Sequence, residues 1–406
     1  MPTPLETAIA RLDQLGGISD SPSHLVRTFL SPASRTAALK ILEWMAALGM
    51  EISHAADGTV RGVLAGGNPD APPLLLGSHY DTVIDAGKYD GPLGIISALA
   101  ALETLQQEKV ILPFPVHVLA FSDEEGIRFQ TTYLGSRGIT GPLDPETLLA
   151  GDSLGITIAQ AIKHEGWHSG ATTIRYEPGQ CRGYVELHIE QGRVLEEADQ
   201  AACVVSSIAG QSRLIVTLTG RADHAGTTPM PLRRDALTGA AECILAAESL
   251  AKSSPDLVIT VGKIQVHPGA SNSIPQNATF TIDLRHPDDA TRRESLEKLH
   301  ARFIGITTAR SLEIVWLPVQ ENNATPCDPP LTALLLESLA AVTGSDLSLP
   351  SGAGHDGVAI AKICPIAMLF IRCRDGLSHH PDEFTSTADI GTGIEILTRF
   401  LKSLTA

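Results

Sequence analysis

Histidine and carboxylate side chains recur in this sequence in short motifs that could bind divalent metals or transfer protons. The 406-residue chain has 14 His and 46 Asp or Glu residues, the residue types that ligate such metals and exchange protons near neutral pH. The segment GSHYD supplies His79 and Asp81, and Asp90 precedes a glycine in YDGPLG. The segment SDEEG supplies Glu124 and Glu125.

Two further segments, ELHIEQG and GLSHHPDE, supply His188 and the adjacent pair His379 and His380. Each motif alone is weak, because an H-x-D pair or two adjacent glutamates usually lie on a solvated surface. A single histidine on a strand is usually packed in a core. Several such residues that meet at one site would instead match the ligands of paired divalent metals.

Apolar runs precede these side chains and predict the elements that position them. Continuous apolar stretches at residues 74–76 and 116–121 are typical of a buried sheet. Residues 184–188 and 366–371 are also predicted to be strands. Helical spacing at residues 93–105 and 390–404 indicates flanking helices. We predict an α/β domain with a mixed sheet, and sites in such sheets lie at the carboxyl ends of strands.

The pattern changes between residues 212 and 324. Strands are predicted at 214–219, 257–266, 279–285 and 312–317, and helices at 235–252 and 290–304. This β-α-β-β-α-β order indicates an inserted α+β domain of the ferredoxin-like type, followed by a linker at 320–330. We therefore predict a discontinuous catalytic domain of residues 1–211 and 325–406, and an inserted domain of residues 212–324.

The spacing of the ligand-type residues adds a physical argument. Asp81 lies two residues after His79, where its carboxylate could bind the second imidazole nitrogen and fix the tautomer. Asp90 begins the predicted helix, and a carboxylate there could bridge two ions about 3.5–4 Å apart. The HEGWH segment, with His164 and His168, also fits the H-E-x-x-H zinc motif. We reject that site because Gly166 interrupts the helix that the motif requires.

Charge and cysteine content narrow the function classes. With 30 basic and 46 acidic residues the chain has a formal net charge of −16, which disfavours nucleic acid and membrane surfaces as partners. The first 20 residues lack the basic start and apolar segment of a signal peptide. Six scattered cysteines without a CxxC pair favour a reducing compartment, and we predict a cytoplasmic protein.

The combined motifs resemble the hydantoinase/carbamoylase branch of the two-metal aminoacylase-like amidohydrolases. The resemblance spans residues 74–380. It is carried by GSHYDTVIDAGKYDGPLG, FSDEEGIRFQTTYLGSRGITG, GYVELHIEQGRVLE, GRADHAGTTPM, SNSIPQNATFTIDLR and SGAGHD with GLSHHPDE. It implies two divalent metal ions per subunit, with manganese favoured and zinc as the alternative. One ion would be bound by His79, Asp90 and His188, and the other by Asp90, Glu125 and His379.

The resemblance also implies roles outside the metal ligands. Asp81 would orient His79, Glu124 would be the general base, and His380 has no role because it lies one residue past the matching position. In the inserted domain, His224 would stabilise the oxyanion. The predicted substrate-binding residues are Gln191 for a ureido group, Asn272 and Arg285 for a carboxylate, and Gly354 in SGAGHD.

The residues alone support simpler interpretations for some of these positions. Arg285 ends a predicted strand and could pair with Asp283, and His224 could be an ordinary loop residue. His355 could belong to a pair of residues that begins a helix, and its role stays open.

The implied activity is hydrolysis of the ureido C–N bond of allantoate to ureidoglycine, ammonia and carbon dioxide. The substrate would be a small carboxylate-bearing ureide, and the protein a homodimer that associates through the inserted domain, which would also serve as a lid. The alternatives are an N-carbamoyl-L-amino acid, ureidoglycolate or β-ureidopropionate as substrate, a two-metal dipeptidase, or a non-catalytic binding protein. A polar pocket that involves Gln130 or Tyr80 would favour allantoate.

Overall fold

The computed structural model describes residues 2–405, and these residues cluster into two units. The larger unit contains residues 2–206, 327–349 and 353–405, and the smaller one residues 207–326 and 350–352. The predicted boundaries were 211/212 and 324/325.

The elements up to the unit boundary, in chain order, are α1 (Pro4–Gly16), α2 (Pro32–Ala47), β1 (Glu51–His54), β2 (Val60–Leu64), β3 (Leu74–His79), α3 (Pro92–Gln107), β4 (Val116–Phe121), α4 (Leu134–Thr140), α5 (Pro145–Leu149), α6 (Ile158–Glu165), β5 (Gly183–Ile189), α7 (Val194–Glu197) and β6 (Ala202–Ile208). The chain continues with β7 (Gly210–Thr219), α8 (Ala236–Lys252), β8 (Val258–Thr260), β9 (Ile264–His267), β10 (Asn277–His286), α9 (Asp289–Ala309), β11 (Glu313–Asn322) and β12 (Thr325–Pro326). The last elements are α10 (Pro329–Thr343), β13 (Ser348–Ser351), α11 (Gly357–Ile360), β14 (Ile366–Ile371) and α12 (Thr387–Ser403).

The larger unit is built on a mixed sheet, as predicted. Its strands follow the order β1-β2-β4-β3-β5-β14-β6. Strand β3 is parallel to β4 and β5, and β14 is parallel to β5, whereas β2 and β6 pair antiparallel with their neighbours. The carboxyl ends of β3, β4, β5 and β14 therefore meet at one edge of the sheet, where the ligand-type side chains were expected.

Helix α3 packs against the centre of this sheet and sets the position of the residues before it. It contacts β3, β5 and the helices α1 and α12. Its side chains from Leu93 to Leu102 are almost entirely buried, which explains why its sequence is apolar on all sides. Pro92 occupies the first turn, where proline loses no helical hydrogen bond. The start of α3, and with it Asp90, is thus anchored in the core.

The smaller unit has an antiparallel sheet in the order β11-β7-β10-β8, with β9 also paired to β10. Residues of β10 alternate between buried and half-buried, and the buried ones, such as Phe280 and Ile282, form a core with side chains of α8 and α9. The predicted strand 257–266 is two strands, because three residues between β8 and β9 face only two residues of β10. The extra residue is a β-bulge that interrupts the ladder.

The predicted linker at residues 320–330 is only partly a linker. Strand β11 continues to Asn322, which pairs with Gln211 of β7, and α10 already begins at Pro329. The prediction was wrong for residues 320–322. They are polar, as in many linkers, because they belong to an exposed strand at the edge of the sheet.

Within residues 2–405, no helix is both long and apolar enough to cross a membrane. All six cysteines are buried and free.

Candidate metal centre

Six predicted residues of the larger unit lie at the carboxyl ends of its strands or in the loops that follow them. They are His79 at the end of β3, Asp90 before α3, Glu124 and Glu125 after β4, His188 in β5 and His379 after β14. Four of them are almost entirely buried, and Glu125 and His379 are less so.

The carboxylate of Asp90 faces histidines with both of its oxygens. Its Oδ1 lies 3.6 Å from His79 Nε2 and 3.1 Å from His188 Nε2. Its Oδ2 lies 3.2 Å from His379 Nε2, which is also 3.2 Å from Glu125 Oε1. In each of two triads, His79–Asp90–His188 and Asp90–Glu125–His379, the candidate ligand atoms lie within 4.8 Å of one another. The structure thus brings together two ligand groups that share Asp90.

Hydrogen bonds at the Nδ1 atoms of His79 and His188 determine which nitrogen can bind a metal. His79 Nδ1 lies 3.2 Å from both the carbonyl and the Oδ1 of Asp81, and His188 Nδ1 lies 2.9 Å from the carbonyl of Ile189. These acceptors place the ring proton on Nδ1 and leave the Nε2 lone pair directed at Asp90. Nε2 of His188 is buried and has no hydrogen-bond partner among the described residues, which fits a metal ligand.

Asp81 also links the loop after β3 to the loop after β4 by hydrogen bonds. Its carboxylate accepts the backbone N–H groups of Glu124 at 2.9 Å and Glu125 at 3.2 Å. The residue predicted to orient His79 therefore also fixes the backbone that carries Glu124 and Glu125.

The buried carboxylates of the site would be stabilised by additional positive charge. Burial, opposed by His79 and reinforced by Glu125 and Asp356, raises the pKa of Glu124 well above its usual range. Burial likewise raises the pKa of Asp123 and of Asp356 well above the usual range of aspartate. Hydrogen bonds with Asp90 and Glu125 raise the pKa of His379 to about 10. Burial of several ionised carboxylates lowers the stability of the fold unless cations neutralise them. The donor set therefore fits divalent metal ions.

Glu124 lies beside these ligands. It is 8% exposed, and one of its oxygens lies within 4.8 Å of candidate ligand atoms of His79 and Glu125. This position suits a group that exchanges protons with a molecule bound beside these candidate ligands.

Several residues around the centre have contacts that the sequence did not predict. Gln191 donates from Nε2 to Asp90 Oδ2 at 2.9 Å. The fully buried Arg27 donates to the carbonyl of Tyr80 at 2.5 Å, between His79 and Asp81. Gln191 lies in the segment ELHIEQG, which the sequence analysis singled out. No motif around Arg27 predicts its contact with Tyr80.

The prediction that Tyr80 contributes to a polar substrate pocket is wrong. It is completely buried, and its hydroxyl donates to the carbonyl of Gly58 at 2.7 Å. Gln130 is exposed and donates to the carbonyl of Ile127.

The SGAGHD segment lies close to the centre. His355 and Asp356 directly precede α11, with Asp356 as its N-cap residue, and His355 is buried with its ring 4.5 Å from that of His188. A Cβ on Gly354 would lie 1.8 Å from the hydroxyl of Tyr133, so only glycine fits there.

Two predicted residues of the smaller unit, His224 and Asn272, are neighbours, whereas Arg285 lies at the other end of β10. His224 and Asn272 are exposed, and their backbones adjoin, since Ala225 N donates to the carbonyl of Asn272 at 3.0 Å. His224 Nδ1 accepts the N–H groups of Gly226 and Thr227 at 3.0 and 3.2 Å. A neutral His224 therefore carries its proton on Nε2, where it can donate outward.

Arg285 pairs with Asp283, the interpretation that the residues alone favoured. The two form a fork with distances of 2.8 and 3.0 Å, and Arg285 also donates to the carbonyl of Gly352 at 2.6 Å. These side chains and Arg213 line a cavity of about 630 Å³ in the smaller unit.

The rejected zinc motif is not a metal site. Helix α6 ends at Glu165, between its two histidines. Both are exposed, and His168 Nε2 lies 3.1 Å from the carbonyl of Lys163.

Comparisons with known proteins agree with this geometry. Residues 75–403 match the model of the peptidase family M20/M25/M40. An allantoate deiminase from Arabidopsis thaliana is 42% identical over 98% of this chain and 82% of its own length. An N-carbamoyl-L-amino acid amidohydrolase from Geobacillus stearothermophilus is 37% identical over 95% of both chains. The crystal structure of a hydantoinase/carbamoylase family amidase from Burkholderia multivorans has a TM-score of 0.91 and 30% identity, over 99% of this chain and 98% of that one. The chain thus belongs to the peptidase family M20/M25/M40.

Proposed function

We propose that this protein hydrolyses the ureido C–N bond of allantoate to give ureidoglycine, ammonia and carbon dioxide. The observation that carries the proposal is the carboxylate of Asp90, whose two oxygens face separate histidine groups beside the buried Glu124. The allantoate deiminase relative, which matches 98% of the chain, supports this choice of substrate.

Two divalent ions would be held by the two groups that share Asp90. The first group is His79, Asp90 and His188, and the second is Asp90, Glu125 and His379. Bound there, the ions supply Lewis acidity that lowers the pKa of water and polarises the scissile carbonyl group. Imidazole and carboxylate ligands accept several first-row metals, and we propose manganese, with zinc as the alternative.

Glu124 is the proposed general base. It removes a proton from the attacking water and returns it to the leaving nitrogen as the C–N bond breaks. Asp81 keeps His79 in the required tautomer and holds the backbone of Glu124 in place. Gln191 fixes Asp90 and would also contact the ureido group, and Gly354 would contact the substrate through its backbone.

The smaller unit would supply the other substrate contacts and act as a lid. His224 Nε2–H would donate to the developing oxyanion. Arg285, held by Asp283, would bind the substrate carboxylate, for which a planar guanidinium is well suited. Asn272 lies beyond the other end of β10, so it would bind the carboxylate across the dimer, in the site of the partner subunit. We propose that this unit has a ferredoxin-like fold.

We further propose a homodimer that forms through the smaller unit. Exposed apolar side chains on the edge strand β11, Val315, Leu317 and Val319, support this because burial in a subunit interface would stabilise them. We propose a cytoplasmic location, which the six free cysteines support.

An N-carbamoyl-L-amino acid is the second candidate substrate, favoured by the amidohydrolase relative from Geobacillus stearothermophilus. A substrate panel on metal-reconstituted protein tests the two. It would contain allantoate, ureidoglycolate, β-ureidopropionate and several N-carbamoyl-L-amino acids, with ammonia release as the readout. We expect the highest kcat/KM for allantoate. No turnover of allantoate beside fast turnover of a carbamoyl amino acid would refute the first proposal.

A further inference from the structure

The loop that carries His379 is fastened to the loop that carries Asp90 by a buried carboxylate. Glu383 is 5% exposed, and its Oε1 accepts the backbone N–H groups of Tyr89 at 2.8 Å and Asp90 at 3.1 Å. Its Oε2 lies 3.1 Å from the hydroxyl of Ser378. One side chain therefore contacts both loops.

Glu383 binds the backbone just before helix α3, whose own first N–H groups are bound elsewhere, since Leu93 N donates to the carbonyl of Tyr89 and Gly94 N to that of Gly91. The N-cap residue Gly91 has no side chain that could accept a hydrogen bond. The N–H groups just before the helix are satisfied by Glu383, nearly 300 residues further along the chain. A carboxylate at this end of a helix also interacts favourably with the helix dipole.

The approach of Glu383 requires a glycine opposite it. A Cβ on Gly87 would lie 2.3 Å from Glu383 Cβ and 2.4 Å from its Oε1. The rings of Tyr89 and Phe384 pack edge to face next to this contact, with centroids 6.3 Å apart. The two loops therefore fit tightly together around Glu383.

The contact extends to the carboxylate of Asp90 itself. The Ser378 hydroxyl lies 2.6 Å from Asp90 Oδ2, the oxygen that faces His379. Glu383 thus holds the backbone of Asp90 directly, and Ser378 of the same loop, whose single hydroxyl proton lies within reach of both carboxylates, contacts Asp90 Oδ2.

We propose that Glu383 is a positioning residue that keeps the two oxygens of Asp90 directed at their separate histidine groups, so that two metals can bind. This inference rests on the two-metal part of the proposed function. Loss of Glu383 should mainly affect the ion bound by Asp90, Glu125 and His379, because both loops that Glu383 joins contribute ligands to it. Removal of such outer contacts typically weakens metal binding about 10- to 100-fold.

The test is calorimetric titration of the metal-free full-length protein with Mn²⁺ and with Zn²⁺. We expect Glu383→Ala to weaken binding of the second metal, the ion held by Asp90, Glu125 and His379, about 10- to 100-fold. Ser378→Ala should weaken its binding less. Glu383→Gln should bind metals almost as the wild type does, because its amide oxygen can accept both N–H groups and its amide nitrogen can donate to Ser378.

Asp328→Ala is the matched control. Asp328 caps α10 by accepting the N–H of Leu331 at 3.0 Å, so this variant also removes a carboxylate that accepts a backbone N–H at the start of a helix, but at another helix. We expect it to lower the melting temperature and to leave metal binding unchanged.

Wild-type affinity for both metals in folded Glu383→Ala would overturn the inference, and so would an equal loss in Asp328→Ala. If Glu383→Ala does not fold, Ser378→Ala decides, because unchanged binding of the second metal in that variant also overturns it. A wild type that binds two metals but hydrolyses no ureide would refute the proposed function and leave this inference intact.

Discussion

The two regions that hold the predicted site residues differ in burial. In the larger unit, His79, Asp90 and His188 are 2%, 5% and 1% exposed, and the side chain of each makes hydrogen bonds. In the smaller unit, His224 and Asn272 are exposed and lie in loops. Metal ligands must be held rigidly in a dry environment, whereas residues that bind a substrate must be reachable from solvent.

The two regions also differ in charge. Buried carboxylates outnumber cations around Asp90, so that region fits positive ions. Around Asp283, the side chains of Arg213 and Arg285 share one carboxylate, at 2.9 and 2.8 Å, so that region carries a net positive charge and fits an anion.

The largest effect is expected in the buried region. Glu124→Gln should lower kcat about 10²- to 10⁴-fold, the usual contribution of a general base, while metal content stays at the wild-type level. Steady-state kinetics and elemental analysis measure the two quantities. Glu103→Gln, which breaks the ion pair with Arg11 on α1, is the control and should keep its activity. A fully active Glu124→Gln would show that the base is another group.

His224→Ala tests the exposed region at the reacting group. We expect kcat to fall about 10²- to 10³-fold, as for the loss of one oxyanion donor, with metal affinity unchanged because the metal ligands all lie in the larger unit. The nearby exposed Arg221→Ala is the control. If His224→Ala altered metal binding rather than kcat, the proposed division between the two regions would be wrong.

Arg285→Ala should mainly raise KM for carboxylate-bearing substrates. The expected increase is roughly 10- to 100-fold, which corresponds to the loss of charged hydrogen bonds. Arg213→Ala is the control, because Arg213 shares Asp283 but is not a proposed substrate ligand. An unchanged KM in Arg285→Ala would show that the pair with Asp283 is only structural.

The smallest effect is expected for the histidines of the rejected zinc motif. The double variant His164→Ala and His168→Ala removes two exposed side chains, and it should change neither metal content nor kcat/KM. Its stability should stay within about 0.5 kcal/mol of wild type, as for ordinary surface substitutions. A lost metal ion in this variant would contradict the assignment of the metals to Asp90 and its neighbours.

Local sequence patterns predicted the strands and their ends well. The runs before His79 and Glu124 are buried strands, because continuous apolar stretches of this length fit a sheet that is covered on both faces. The segment around His188 is a buried strand as well. The sequence patterns gave wrong strand boundaries where the polarity of a segment did not match its pairing in the sheet. Residues 320–322 look like a loop but extend β11, and residues 257–266 look like one strand but contain a bulge.

By itself, the sequence determined the types of the ligands and the strand ends at which they lie, because both depend on residues close together in the chain. Only the tertiary structure decided which oxygen of Asp90 faces His188 and which faces His379. It also decided that Tyr80 is buried and that Glu383 reaches the N–H of Asp90, 293 residues away. Such contacts depend on how distant loops pack together, and no spacing within one segment encodes that packing.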